Sequence, residues 1–175
     1  MFDFVKKLLI ARQFTMEKGQ ITLTNLPVMI LPVYVVVNMQ KALEKSMGFE
    51  KTKKFIYEGT KKGSIEHARE INKRYGLKGK QLVDFLINYL TMAGWGEVNL
   101  VNIDIKNKTA VTHFSNSTFS KYYGFSKNPV DHIMAGSQAG GATVVFGEDA
   151  DVIETKCVAM GSPYCEFIYK VKSKK

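Results

Sequence analysis

The chain is poor in the residues from which metal and cofactor sites are most often built, with two cysteines and three histidines among 175 residues. The histidines, His67, His113 and His132, are too dispersed for a metal triad to be read from their spacing, and no Ser-His-Asp arrangement stands out. There is no Walker loop. The glycines near residue 140 do not follow a strand as a dinucleotide fingerprint does, so nucleotide binding has no support. The longest apolar run, residues 26–37, contains Pro27 and Pro32 and falls short of the ~20 residues that span a bilayer. The first ten residues offer too short an apolar stretch for a secretion signal and lack a small-residue cleavage site. These absences point to a cytoplasmic protein without a membrane span. No repeat or low-complexity segment interrupts the chain, and residues 1–175 are expected to form one domain, large enough to bury a core without disulfide staples.

Charge is abundant, at a formal +9. Lys51, Lys53, Lys54, Lys61 and Lys62 cluster, but Glu50, Glu58 and Glu66 are interspersed, which describes a solvated helical face. No helix-turn-helix, zinc-finger or aromatic RNA-binding pattern accompanies them, so direct nucleic-acid binding is not expected. His67, set in Glu66-His67-Ala68-Arg69-Glu70, reads as a surface histidine on the same face.

Periodicity gives the order of elements. Residues 1–11 read as a short amphipathic helix with Phe4, Val5, Leu8 and Leu9 on one side. Phe14 and Met16, then Ile21 and Leu23, alternate with polar neighbours around Lys18-Gly19, as a hairpin does. Residues 27–48 predict a buried helix ending at Gly48, on the Met39, Ala42, Leu43, Met47 spacing. Residues 49–75 predict a second helical region, with Phe55, Ile56 and Ile65 inward, an interruption near Gly59 or Gly63, and a stop at Gly76. Residues 80–93 predict a third, with Leu82, Val83, Phe85, Leu86, Tyr89 and Leu90 as its apolar stripe. From Gly94 the period changes to two, giving a hairpin over Val98 to Phe114. A last helix over 131–146 has a smooth face of Ala135, Gly136, Ala139, Gly140 and Gly141, which lets another backbone or a flat ligand come close, with tight packing on the sheet the first expectation. Helices first and an antiparallel sheet late indicate an α+β fold.

The densest chemistry lies at residues 154–167. Cys157 and Cys165 each stand four residues from Gly161, in a Gly-Ser-Pro turn between two β-prone runs. A tight hairpin there brings the two thiols opposite one another, able to share a metal, form a disulfide or stay as plain thiols; in a reducing compartment a lasting disulfide is the least favoured.

The pattern Glu154-x-x-Cys157-x-Ala159-x-Gly161-x-Pro163-x-Cys165-x-Phe167 resembles the C-terminal signature of the vinyl-4-reductase domain. That small-molecule-binding domain is found alone and in the sensor regions of aromatic-responsive bacterial regulators. The resemblance runs from about residue 14 to 172 and is strongest from Gly94 onward. It implies the fold shared by transport-particle subunits and nitric-oxide-binding haem domains, and a homodimer. It also implies a structural zinc held by Glu154, Cys157 and Cys165. A further cysteine of the phenol-sensing relatives falls here on Asp131, so either an Asp131 oxygen or the neighbouring His132 nitrogen completes the set. Glu154 and Cys157 are an odd number of residues apart and point to opposite faces of a regular strand, so a shared ion requires a bulge or break between Ile153 and Cys157.

Two functions follow. One is a zinc-stabilised sensor domain for a hydrophobic or aromatic ligand, held between the late sheet and its helices near Trp95, His113, Phe114, Phe119 and Tyr122. The alternative, which the family's name suggests, is an enzyme or enzyme subunit in tetrapyrrole vinyl reduction. The chain shows no flavin or nicotinamide motif, and a zinc closed by four ligands has no open position for chemistry. A haem ligated by His113 or His132 is a third, weaker reading.

Overall fold

The computed structural model describes residues 14–171. The amphipathic segment expected over residues 1–11 lies outside them. The first described elements are three short antiparallel strands, β1 (Phe14–Glu17), β2 (Gln20–Leu23) and β3 (Leu26–Val28). The β1–β2 turn is the expected one, with Lys18 and Gly19 both at positive φ, the geometry that matches the twist of a two-residue hairpin. The third strand was not anticipated, because Pro27 sits in its middle, paired with Thr22.

Three helices follow: α1 (Val33–Met47), α2 (Phe49–Tyr75) and α3 (Gly79–Met92). The expectation of a buried α1 needs correction. Only Val37 and Gln40 are buried, and Tyr34, Val35 and Met39 are exposed, because the rest of the molecule covers only one stripe of the helix. Likewise α2 is one unbroken helix of 27 residues. Gly59 and Gly63 lie on its open side, where an added Cβ would touch nothing within 4 Å. Their cost of roughly 1 kcal/mol each is outweighed by the packing of the opposite face. Phe55, expected inward, is 63% exposed. The helix stops at Gly76, whose left-handed φ of 65° lets its N–H close onto the Asn72 carbonyl.

The second sheet contains β4 (Glu97–Asp104), β5 (Thr109–Ser115), β6 (Ala150–Lys156) and β7 (Cys165–Val171), in the order β4-β5-β7-β6 and antiparallel throughout. Between β5 and β6 come the short α4 (Thr118–Tyr123) and the central α5 (His132–Phe146). The architecture is α+β, as the order of sequence patterns indicated. Alternation along β5 turns Ala110, Thr112 and Phe114 to the helices and His113 to the far face.

Two glycines of the small-residue face of α5, Gly136 and Gly140, meet α2 where packing on the sheet was expected. An added Cβ at Gly136 would collide with Thr60 Oγ1 and lie 2.5 Å from the Tyr57 carbonyl oxygen. At Gly140 it would lie 2.5 Å from the Lys61 carbonyl oxygen. The order of these contacts shows that α2 and α5 run in the same direction. Two polar side chains reinforce the seam: Tyr57 donates to Asp151 at 3.0 Å, and Lys61, unlike its exposed neighbours, is buried between Asp149 and Asp151.

Candidate metal centre and ligand cavity

The loop between β6 and β7 is not a tight hairpin. β6 ends at Lys156, Cys157 is extended, and a single 3-10 turn (Val158–Met160) leads to Gly161 at φ 89°. The β6–β7 register shifts between Glu154 and Lys156, within the interval where a break was expected. This irregularity places Glu154 and both cysteines together: their ligand atoms lie within 4.8 Å of one another, and all three side chains are buried. The two Sγ atoms are 3.9 Å apart and unbonded.

Asp131 borders this group at the start of α5. Its backbone N–H donates to Glu154 Oε2 at 2.9 Å, and its Oδ2 accepts from Ser117 (2.9 Å) and Ser120 (3.4 Å). The Ser120 hydroxyl is also 3.4 Å from Cys165 Sγ and 3.6 Å from Cys157 Sγ, so it stands among three of the donors. Val158 N–H points at Cys165 Sγ from 3.3 Å, a donor that steadies a thiolate. Neither Ser117, which caps α4 by accepting from the Ser120 N–H, nor Ser120 gave a signal in the sequence. His132, by contrast, turns toward α2, edge-on to Phe49 with ring centroids 5.2 Å apart, and is not part of the cluster.

Burial raises the Asp131 pKa to about 7 and, with the charges of Asp131 and Cys157 beside it, the Glu154 pKa to about 10. Cys165 donates to Cys157, which makes Cys157 the easier thiol to ionise and Cys165 the harder. Four acidic groups thus compete in one dry site. Asp131 Oδ1 and Glu154 Oε1 are buried there without a hydrogen-bond partner. An orphaned buried acceptor costs about 1–3 kcal/mol, and a divalent cation taking the Glu154 oxygen with the two sulfurs removes that cost at Glu154. The donor set of two sulfurs and the Glu154 carboxylate fits a metal ion; Asp131 borders that set and, like His132, is not part of it.

A second feature is a cavity of about 270 Å³ between the sheet and helices α2, α3 and α5. Its walls are mostly apolar, among them Leu86, Leu90, Leu100 and Val145, with Trp95 at the α3–β4 junction. The polar groups are few. His67 stacks obliquely on Tyr89, with centroids 4.5 Å apart, and its Nε2 is buried without a partner. Burial also lowers its pKa, favouring the neutral ring. The surface position expected for His67 is therefore corrected: its face of α2, with Ser64, Ala68 and Ile71, turns inward, and that i, i+3, i+4 pattern was the available signal. Across the cavity, Thr112 and Tyr169 both hydrogen-bond Gln138 Oε1, Thr112 at 2.7 Å, and leave Gln138 Nε2 without a partner.

Of the residues expected around a ligand, Trp95 lines this cavity and four do not. His113 faces the other side of the sheet, 3.0 Å from Glu166 and stacked on Tyr164. Phe114 and Phe119 are fully buried in the core, Phe114 edge-on to Phe167. Tyr122 is exposed and packs edge-on against Tyr34. Neither His113 nor His132, the two histidines named for a haem, opens on the cavity.

No curated protein matches the chain. Among solved structures it is similar to the phenol-responsive sensory domain of the transcription activator PoxR, crystallised with phenol. Identity is 17% and the TM-score 0.82, over 96% of this chain and 89% of that one. It is also similar to a vinyl-4-reductase family protein from Methanocaldococcus jannaschii, at 18% identity and a TM-score of 0.57, covering 83% and 85%. A trafficking protein particle complex subunit 3 from Naegleria fowleri, covalently bound to palmitic acid, aligns at 13% identity and a TM-score of 0.61, covering 81% and 95%. At these identities the likenesses show the fold. Family models divide the sequence between them: the vinyl-4-reductase domain matches residues 111–171, and a family described as a domain of unknown function, DUF5943, matches residues 7–101, more than half of the chain. The chain thus belongs to the DUF5943 family and carries a vinyl-4-reductase domain at its C-terminal end.

Proposed function

We propose that this domain senses a small aromatic or hydrophobic molecule held in the cavity between the sheet and helices α2, α3 and α5. The observation that carries this reading is an apolar cavity with an unpaired, buried His67 Nε2 in its wall. A hydroxyl group supplies the missing partner, and the apolar walls suit a ring. The likeness to a domain solved with phenol supports the same class of guest. A tetrapyrrole, several times larger than one ring, does not match a volume of about 270 Å³, which disfavours the vinyl-reductase alternative.

Zinc bound by Glu154, Cys157, Cys165 and Asp131 stabilises the domain in this reading. Its contribution would be a cross-link joining β6, the β6–β7 loop, β7 and the start of α5. His132, outside the cluster, is not proposed as a ligand. A cytoplasmic homodimer completes the proposal; the homodimer is supported by the exposed apolar residues Tyr34, Val35 and Met39 of α1, of which Tyr34 packs against the exposed Tyr122. No helix among the described residues is long and apolar enough to cross a membrane.

Trp95, the sole tryptophan, reports the cavity directly. Titration with phenol should change its fluorescence with saturation at one molecule per chain, and His67→Phe should weaken binding about tenfold or more. Absence of saturable binding by phenol and by alkylphenols would overturn the sensor reading.

A further inference from the structure

Gln138 is more than nine-tenths buried, and its amide orientation is fixed by its neighbours. With Oε1 toward Thr112 and Tyr169, both hydroxyls find an acceptor, and only the amide Nε2–H2 group lacks a partner. Exchanging oxygen and nitrogen would instead leave the amide oxygen and one of the two hydroxyl protons without partners. Gln138 lines the cavity, and its buried Nε2 lies beside it without a partner, separate from the unpaired nitrogen of His67.

One ligand atom cannot serve both. Gly136 meets Tyr57 and Thr60, and Gly140 meets Lys61 and Ser64, so Gln138 stands level with about residue 61 of the parallel helix α2. His67 lies about six residues further along, roughly 9 Å at 1.5 Å per residue. Side chains on both helices lean toward their N-termini, so the offset carries through to the side chains. Two hydrogen bonds of about 2.9 Å meeting at one oxygen span at most roughly 6 Å.

The volume agrees with a larger guest than phenol. A cavity of about 150 Å³ holds benzene, and this one has about 270 Å³. Among the described residues no lysine, arginine, aspartate or glutamate lines it, so a carboxylate would be buried there without a counter-charge.

We propose that the cavity reads its ligand at two points, taking a neutral aromatic molecule whose hydroxyl is held at His67 and whose second oxygen, a carbonyl or similar acceptor, is held by Gln138 Nε2. This rests on the sensor reading and narrows it to a bifunctional guest. Gln138 is then the residue that distinguishes such molecules from simple phenols.

The test compares two phenols of nearly equal shape, 4-hydroxyacetophenone and 4-isopropenylphenol, which differ in carrying C=O or C=CH2. Calorimetric titration of the full chain, at a pH where both are neutral, should favour the ketone about tenfold. In Gln138→Glu, which keeps an acceptor for Thr112 and Tyr169 but replaces the donor, the ratio of the two affinities should fall to about one. Equal affinities in the native protein, or a ketone preference that survives in Gln138→Glu, would overturn the proposal and leave the sensor reading standing. Binding of neither phenol would overturn both. Should the variant fail to fold, the native comparison decides alone.

Discussion

The backbone N–H of Asp131 donates to the Glu154 carboxylate across 2.9 Å, tying the first turn of α5 to the irregular end of β6 at the point where the two cysteines meet. This bond explains why the site is more than a pair of neighbouring thiols. It fixes one oxygen of Glu154 and leaves the other without a partner.

Protein purified without chelators or metal-affinity resin is expected to hold one zinc per chain, and Cys165→Ser to lose it. If the lost cross-link contributes about 3 kcal/mol, Tm falls by roughly 6–12 °C at this chain length. Native protein without zinc, in which both cysteines react freely with a thiol reagent, would show the metal assignment to be wrong.

Asp131 and His132 are separable. Asp131→Ala should reduce zinc affinity by at least about 100-fold, whereas His132→Ala, which removes a ring packed on Phe49, should lower stability while retaining stoichiometric metal. Competition with a chromophoric chelator measures both. The reverse ranking would move the fourth donor to His132.

His67 gives a pH dependence with a defined sign. Burial lowers its pKa below the ordinary 6.5, so below that pH the unfolded chain binds a proton that the folded chain refuses. Its contribution to stability is complete above pH 6.5 and is lost as pH falls from there toward the lowered folded value. Burial of His132, with a pKa lowered to about 4, adds a slope of the same sign. Urea titrations from pH 7 to pH 5 should therefore show a shallower decline for His67→Phe than for the native protein. Parallel declines would show that the His67 ring is not held neutral.

The glycines of the two long helices predict opposite responses to one methyl group. Gly59→Ala, on the open side of α2, should stabilise by about 0.5–1 kcal/mol through helix propensity. Gly140→Ala, whose Cβ would come within 2.5 Å of the Lys61 carbonyl oxygen, should destabilise by about 1–3 kcal/mol. Denaturation midpoints at constant m-value distinguish these outcomes.

Much of the fold was legible because period and punctuation agree along most of the chain. The change from helical spacing to alternation at Gly94, and the stops at Gly48 and Gly76, correspond to real boundaries. The grouping of Glu154, Cys157 and Cys165 was legible for a related reason: the three are close in sequence, and the parity conflict between the first two demanded the register shift that β6 shows. The cavity was not. Its walls come from α2, α3, β4, β5, α5 and β7, and no local pattern records that Ser64 and His67 face Gln138 and Tyr169 across it. Charged neighbours disguised His67, whereas the aromatic cluster from Phe114 to Tyr122 attracted attention but fills the core or the surface. The smooth face of α5 was correctly read as a close approach, yet only the tertiary structure tells that its partner is a helix.

That approach has a mechanical consequence. Backbone lies against backbone at Gly136 and Gly140, so neither helix can slide past the other or rotate about its own axis without a collision, and α2 and α5 behave as one stiff double beam. The beam carries the acidic cluster at one end and a wall of the cavity along its length. In the proposed sensor, a guest molecule pushing on α5 would therefore displace α2 with it instead of being absorbed as repacking between the two helices.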